Sequence, residues 1–253
     1  MRESAEPETQ ERAVVRWRSV LPVPGHQEDR CAKAHDRGAD HVFFDLEDAV
    51  PVDAKESARA AVWRHLRPGD GLRINPGFGI ELRLASTLGA IVWFPKIRSL
   101  RDLDGVVATR LAVVPIIETA FSLEFLPAIL SRLPRVAGVA FGAMDFCASM
   151  GVGNLSHLAT WARCRVATAA AAIGVQALDS PCLSLASGAM EVEVEHAISC
   201  GFTGKGCMTP RHIEACARFE ERPQPYPVGA EPIFRVGEQI VGPAMTEAHH
   251  GPR

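Results

Sequence analysis

Charged residues close a series of apolar runs in this chain. HVFF leads into Asp45, Glu47 and Asp48, GL into Arg73 and Asn75, IVWFP into Lys96, AVVPII into Glu118, VAFGAM into Asp145 and VQAL into Asp179, while the first run, VVRWRSVLPV, carries Arg18. If these runs are neighbouring strands, about 4.8 Å apart, then Glu118 and Asp145 stand at equivalent heights and their carboxylates can share one cation. Two oxygen ligands, with the other positions left to water and substrate, suit Mg2+, with Mn2+ as the realistic substitute. The alternative is that one of these acids pairs with Lys96 or Arg73 in an ion-pair network. Arg18 and Arg73 would add two planar guanidinium groups, each able to grip a carboxylate with parallel hydrogen bonds, and so imply an acidic substrate. The Gly-Ala-Met-Asp turn adds small residues, through which the backbone amides of Ala143 and Met144 could approach a substrate oxygen.

Such residues need a scaffold, and the pattern between them supplies one. Strand candidates begin at Val14, His41, Gly71, Ala90, Ala112, Val136, Val175 and Gly204. Helical spacing of apolar residues fills 28–37, 53–65, 79–88, 100–110, 123–132, 157–173, 188–200 and 211–219, and Gly38, Gly89, Gly174 and Gly201 follow four of these helices as left-handed caps. Eight strand and helix pairs at a period of about thirty residues fit an α/β fold of the (β/α)8 TIM barrel type better than a doubly wound sheet. In that fold the C-terminal ends of the strands build the active site, which is where the charged residues fall. Residues 1–13 read as a disordered leader, 14–220 as the barrel and catalytic domain, and 221–253 as a Pro-rich linker with a short C-terminal extension.

Composition narrows the partners. The 253 residues carry 27 Lys and Arg against 30 Asp and Glu, a net charge of −3, with 47% hydrophobic residues. No basic block marks a nucleic acid or anionic membrane partner. There is no uninterrupted apolar stretch of about 20 residues, and the N-terminus is charged where a signal peptide needs an apolar segment, so a cytoplasmic location is expected. The seven cysteines are odd in number and lack CxxC spacing, and they read as reduced core fillers; Cys147 stands out only because it lies two residues after Asp145.

The motifs WRSVLPVPG, GADHVFFDLEDAV, LRINP, IVWFPK, PIIETA, VAFGAMDF and GFTGKGCMTP, in this order over roughly residues 16–220, resemble the citrate lyase β-subunit-like branch of the HpcH/HpaI aldolase superfamily. DLEDAV is the most specific of them. The resemblance implies a (β/α)8 barrel, a homotrimer or a multiple of one, and a Mg2+-dependent carbon–carbon lyase. It would cleave a citryl-, citramalyl- or malyl-like thioester of coenzyme A or an acyl carrier to a 2-oxo acid and an acyl thioester. By position it makes Glu118 and Asp145 the metal ligands. Arg73, Glu47 and Asp48 become the catalytic group, and Arg18, Arg73, Asp45, Lys96, Ala143 and Met144 the substrate-binding set. Two positions depart from the family pattern. Thr209 stands where a His is usual, and Val241 where relatives place an Asp that transfers a proton, so that either another group serves, with Glu238 or a water on the metal as candidates, or the chemistry differs from the standard lyase reaction. Two other readings stay open: an aldolase for free hydroxy-keto acids, and a catalytically weak homologue that binds a 2-oxo acid or thioester.

Overall fold

Each of the eight apolar runs forms a parallel strand in the computed structural model, which describes residues 16–77, 79–220, 234–236 and 239–241. The strands are β1 (Ser19–Pro24), β2 (His41–Asp45), β3 (Gly71–Arg73), β4 (Ile91–Phe94), β5 (Val113–Ile117), β6 (Val139–Phe141), β7 (Ala177–Asp179) and β8 (Gly204–Gly206). They pair in sequence order, and β8 returns to β1 through Val20 and Gly206 to close the barrel. Closure needs a glycine at 204, where a Cβ would sit 1.9 Å from the Trp17 carbonyl oxygen.

Among the described residues ten α-helices surround the strands: α1 (Glu28–Ala32), α2 (Lys55–His65), α3 (Gly79–Leu88), α4 (Asp104–Thr109), α5 (Ala120–Glu124), α6 (Leu126–Arg132), α7 (Ala143–Met150), α8 (His157–Ala172), α9 (Ala189–Ser199) and α10 (Pro210–Ala215). The segments 28–37, 100–110 and 211–219 are α-helical over only part of their length and include 3-10 turns, and two further elements differ from the periodicity. The segment 123–132 splits into α5 and α6 because Pro127, which has no N–H, stands in the first turn of α6 and restarts the chain there. Helix α7 adds an element that hydrophobic spacing did not reveal, so Asp145 lies in a helix rather than at a strand end. The four glycines read as caps all have positive φ.

Val20, Phe43, Trp93, Val114, Ile116, Ala140 and Leu178 fill the barrel interior. At its N-terminal end His41 is stacked on Trp17, with ring centroids 3.7 Å apart, and lies beside Trp93 at 5.9 Å. Larger apolar clusters pack the helices onto the outside of the strands. All seven cysteines are free thiols, six of them buried, and Cys147 turns its Sγ toward the Gly153 carbonyl 3.7 Å away. The expected leader lies outside the described residues, as does Glu238. In the C-terminal extension β9 (Phe234–Val236) and β10 (Gln239–Val241) form a separate antiparallel pair. No helix of the described residues is long and apolar enough to cross a membrane.

Candidate active site

The barrel opens at the C-terminal ends of its strands into a cavity of about 290 Å3 whose wall is divided by character. The sector from β2 to α7 contributes Asp45, Arg73, Glu118 and Asp145, whereas β7, β8 and β1 contribute mostly apolar groups such as Leu178, Pro181 and Pro22.

Glu118 directly follows β5 and is buried. Its Oε1 accepts the backbone N–H of Lys96 at 2.6 Å. Lys96 has a φ of 52° there, in the left-handed region that costs a non-glycine residue about 1–3 kcal/mol. Its ammonium group is held 2.5 Å from Glu47 Oε1 and 2.6 Å from Asp48 Oδ2. Burial pushes the Glu118 carboxyl up to about 7; the Lys96 amide opposes the rise, and the charges of Asp145 and Glu47 add to it. Gly142 lets the start of α7 approach this acid, because a Cβ at that position would meet Glu118 Cβ at 2.5 Å and Oε2 at 2.6 Å.

Arg73 ends β3 and is clamped from behind. Its Nε donates to Asp45 Oδ1 at 2.8 Å and its Nη2 to Oδ2 at 2.5 Å, while Nη1 lies 3.3 Å from Glu47 Oε2. A guanidinium has five N–H donors, so this clamp leaves donors on Nη1 and Nη2 for a ligand. Burial works against the charge of Arg73, but Asp45, Glu47 and Glu118 outweigh it and hold its pKa above the ordinary value. The loop carrying Glu47 is pinned in turn by Lys55 Nζ, which donates to the carbonyls of Leu46 and Glu47, each at 2.6 Å, and to Asn75 Oδ1 at 3.0 Å.

On the far wall Asp179 accepts from Arg163 Nε at 3.0 Å and from Lys205 Nζ at 2.6 Å, and Lys205 also lies 2.9 Å from Glu193. Two cations thus meet two acids in a buried, balanced cluster. Arg163 continues to Asn154, in the loop after α7, and so ties β7 to the helix that bears Asp145.

A family model described as HpcH/HpaI aldolase/citrate lyase matches residues 18–210. The chain belongs to that family. It is 30% identical over 222 residues to the citrate lyase subunit beta-like protein of Deinococcus radiodurans, covering 78% of this chain and 77% of that one. It is 29% identical over 217 residues to a (3S)-malyl-CoA thioesterase of Cereibacter sphaeroides, with coverage of 78% and 75%. A solved citrate lyase beta subunit from M. tuberculosis, complexed with oxaloacetate and magnesium, superposes with a TM-score of 0.71 at 27% identity, covering 83% of this chain and 99% of that one. The chain is thus a carbon–carbon lyase in class and a member of the citrate lyase beta-like branch.

Set against this family's expected site, Asp45, Arg73, Glu118, Ala143, Met144 and Asp145 all line the cavity. Glu47, Asp48 and Lys96 stand behind it as one ion-pair cluster. Of the expected substrate groups, Asp45 has both oxygens engaged by Arg73, and the Lys96 ammonium is engaged by Glu47 and Asp48. Arg18 is corrected outright. Strand β1 begins at Ser19, not Val14, and Val20 pairs with His41, which sets Arg18 beside Asp40 at the N-terminal end of the barrel, away from the mouth. There its Nε and Nη2 bond Asp40 at 3.2 and 3.1 Å and its Nη1 bonds Glu220. Thr209, in place of the family His, serves as the N-cap of α10, accepting from the His212 amide. Sequence reasoning passed over Lys55, Arg163 and Lys205; the only signal was the GKG of strand eight, where a lysine stands among residues that must be buried.

Proposed function

We propose that this chain is a Mg2+-dependent lyase that cleaves a citryl-, citramalyl- or malyl-like thioester to a 2-oxo acid and an acyl thioester. The observation that carries the reading is the convergence of Glu118 and Asp145 on one cavity with Arg73 at its edge. Glu118 Oε2 has no hydrogen bond among the described residues, and Asp145 is exposed in the first turn of α7, so both acids have oxygens to give. No third His, Cys, Asp or Glu joins them into a closed ligand set among the described residues. Two carboxylates without nitrogen or sulfur ligands fit Mg2+, which keeps several positions for water and substrate. Bound there, the ion would polarise the hydroxyl oxygen that becomes the ketone. The name of the D. radiodurans relative and the magnesium and oxaloacetate of the M. tuberculosis structure support the lyase reading, and the malyl-CoA thioesterase relative supports a thioester substrate.

The chain's own residues supply the rest. The free N–H groups of Arg73 face the charge that appears on the thioester oxygen as the carbon–carbon bond breaks, a charge absent before cleavage, so Arg73 acts on the rate. Asp45 and Glu47 fix the guanidinium plane, and Asp48 shares the Lys96 ammonium with Glu47. The amides of Ala143 and Met144 are placed for a substrate carboxylate. A homotrimeric assembly and a cytoplasmic location belong to the same proposal, and sedimentation velocity of the full chain checks the first. Mass spectrometry of products from malyl-, citramalyl- and citryl-CoA, with and without Mg2+, tests the reaction. A 2-oxo acid and an acyl thioester are expected only with the metal. Free coenzyme A beside intact hydroxy acid would replace cleavage by thioester hydrolysis, and turnover confined to free hydroxy-keto acids would replace the thioester substrate.

A further inference from the structure

We infer that Ser180 is a specificity-determining residue that, together with the first turn of α7, holds the carboxylate of the 2-oxo acid half of the substrate. The identity of the ligand rests on the proposed function; the placement of Ser180 stands on observations of its own.

Ser180 follows β7, lines the cavity and is 6% exposed, yet its buried Oγ has no hydrogen-bond partner among the described residues. Buried hydroxyls are almost always paired, so one left alone on the wall of a cavity awaits a partner that enters with a ligand. The surrounding wall offers none, since Leu178, Pro181, Leu183 and Met208 are apolar there. Nor is the backbone free to swing the hydroxyl elsewhere. Lys205 Nζ donates to the Ser180 carbonyl at 2.7 Å, the preceding Asp179 is clamped between Arg163 and Lys205, and the following Pro181 restricts the residue before it.

Register points to the neighbour. The β6–β7 pairing ends at Ala140 and Leu178; extended by two residues past both strand ends, it sets Gly142 level with Ser180, and both line the same cavity with the start of α7. Helix α7 has eight residues, and its first amides, at Ala143 and Met144, have no acceptor within the helix. Both residues line the same cavity. A helix N-terminus favours full negative charge over a neutral carbonyl, and a carboxylate has enough lone pairs to take two amides and a hydroxyl. Asp145, in the same turn, is the proposed ligand of the cation that the same 2-oxo acid would chelate. Together these select the acid's carboxylate, not the thioester carbonyl, as the group that Ser180 meets.

The test compares wild type with Ser180→Ala in three measurements: calorimetric titration with Mg2+, titration with pyruvate in saturating Mg2+, and thermal melting without ligand. Ser180→Ala should bind pyruvate at least about tenfold more weakly, the loss expected for a hydrogen bond to a charged group. Its Mg2+ affinity should match wild type. Its ligand-free Tm should be unchanged or higher, because the variant removes a hydroxyl that has no partner in the free protein. Equal pyruvate affinity in the two proteins, or a Tm several degrees lower in the variant, would overturn the role of Ser180 alone. A wild type that binds no pyruvate in Mg2+ would instead overturn the functional reading beneath it.

Discussion

Glu118 is buried, close to Asp145 and Glu47, and hydrogen-bonded through one oxygen only, which makes it an acid whose charge awaits a cation. Glu118→Gln and Asp145→Asn keep volume and remove charge, so each should lose Mg2+ binding and turnover while the fold persists. Unchanged Mg2+ affinity in calorimetric titration of both variants would refute the metal assignment. Arg73 makes a different demand, because its plane is matched to Asp45 through two bonds at 2.8 and 2.5 Å. Lysine retains charge but not the fork, so Arg73→Lys should lower kcat by at least about tenfold, near 1.4 kcal/mol of barrier, with little change in Mg2+ affinity. Normal turnover in that variant would move the charge-stabilising role to another donor in the cavity wall.

Helix α7 reaches Glu118 only because residue 142 lacks a side chain, and this contact belongs to the element as a whole. Gly142→Ala would force the helix start and the acid apart, since the added methyl would lie 2.5 Å from Glu118 Cβ. Mg2+ affinity should fall by about tenfold or more, as it does when a support of a metal ligand is disturbed, while far-UV circular dichroism keeps the barrel signature. Full affinity in that variant would show that α7 can shift without moving its ligands. Beyond β8 Thr209 caps α10. Thr209→Ala should cost about 1 kcal/mol of stability in urea unfolding, and a variant as stable as wild type would deny the cap its contribution.

For the whole molecule the telling group is His41 of β2, at the floor of the barrel between Trp17, in the segment that leads into β1, and Trp93 of β4. Burial pushes its pKa down to about 3, so the folded protein holds it neutral. An unfolded chain takes up a proton there below about pH 6.5, and the folded one does not until about pH 3. The contribution to stability is therefore complete above about 6.5 and is lost progressively as pH falls from there toward 3, with a limiting slope of about one proton. His41→Phe keeps an aromatic ring in the stack and should flatten that decline. A stability difference between wild type and variant that stays constant from pH 7 to pH 4 would show that His41 does not titrate in the unfolding.

The eightfold recurrence of apolar runs and helices specified the barrel from the sequence alone, because strand count and spacing leave few ways to bury so many two-faced elements. The acid after AVVPII and the arginine after GL were legible as charged groups at the C-terminal ends of buried runs, the end at which a barrel of this kind gathers its polar residues. Register was not legible from local pattern. A strand start placed at Val14 instead of Ser19 changes which end a side chain occupies, and so Arg18, read as a substrate group, lies with Asp40 at the other end. Long-range pairing decided the rest. The left-handed turn at Lys96, the approach of α7 to Glu118 across Gly142, and the buried cluster of Arg163, Asp179 and Lys205 each join segments 16 or more positions apart. Residue types and spacing thus determined which groups could do chemistry, whereas closure of the barrel decided which of them meet.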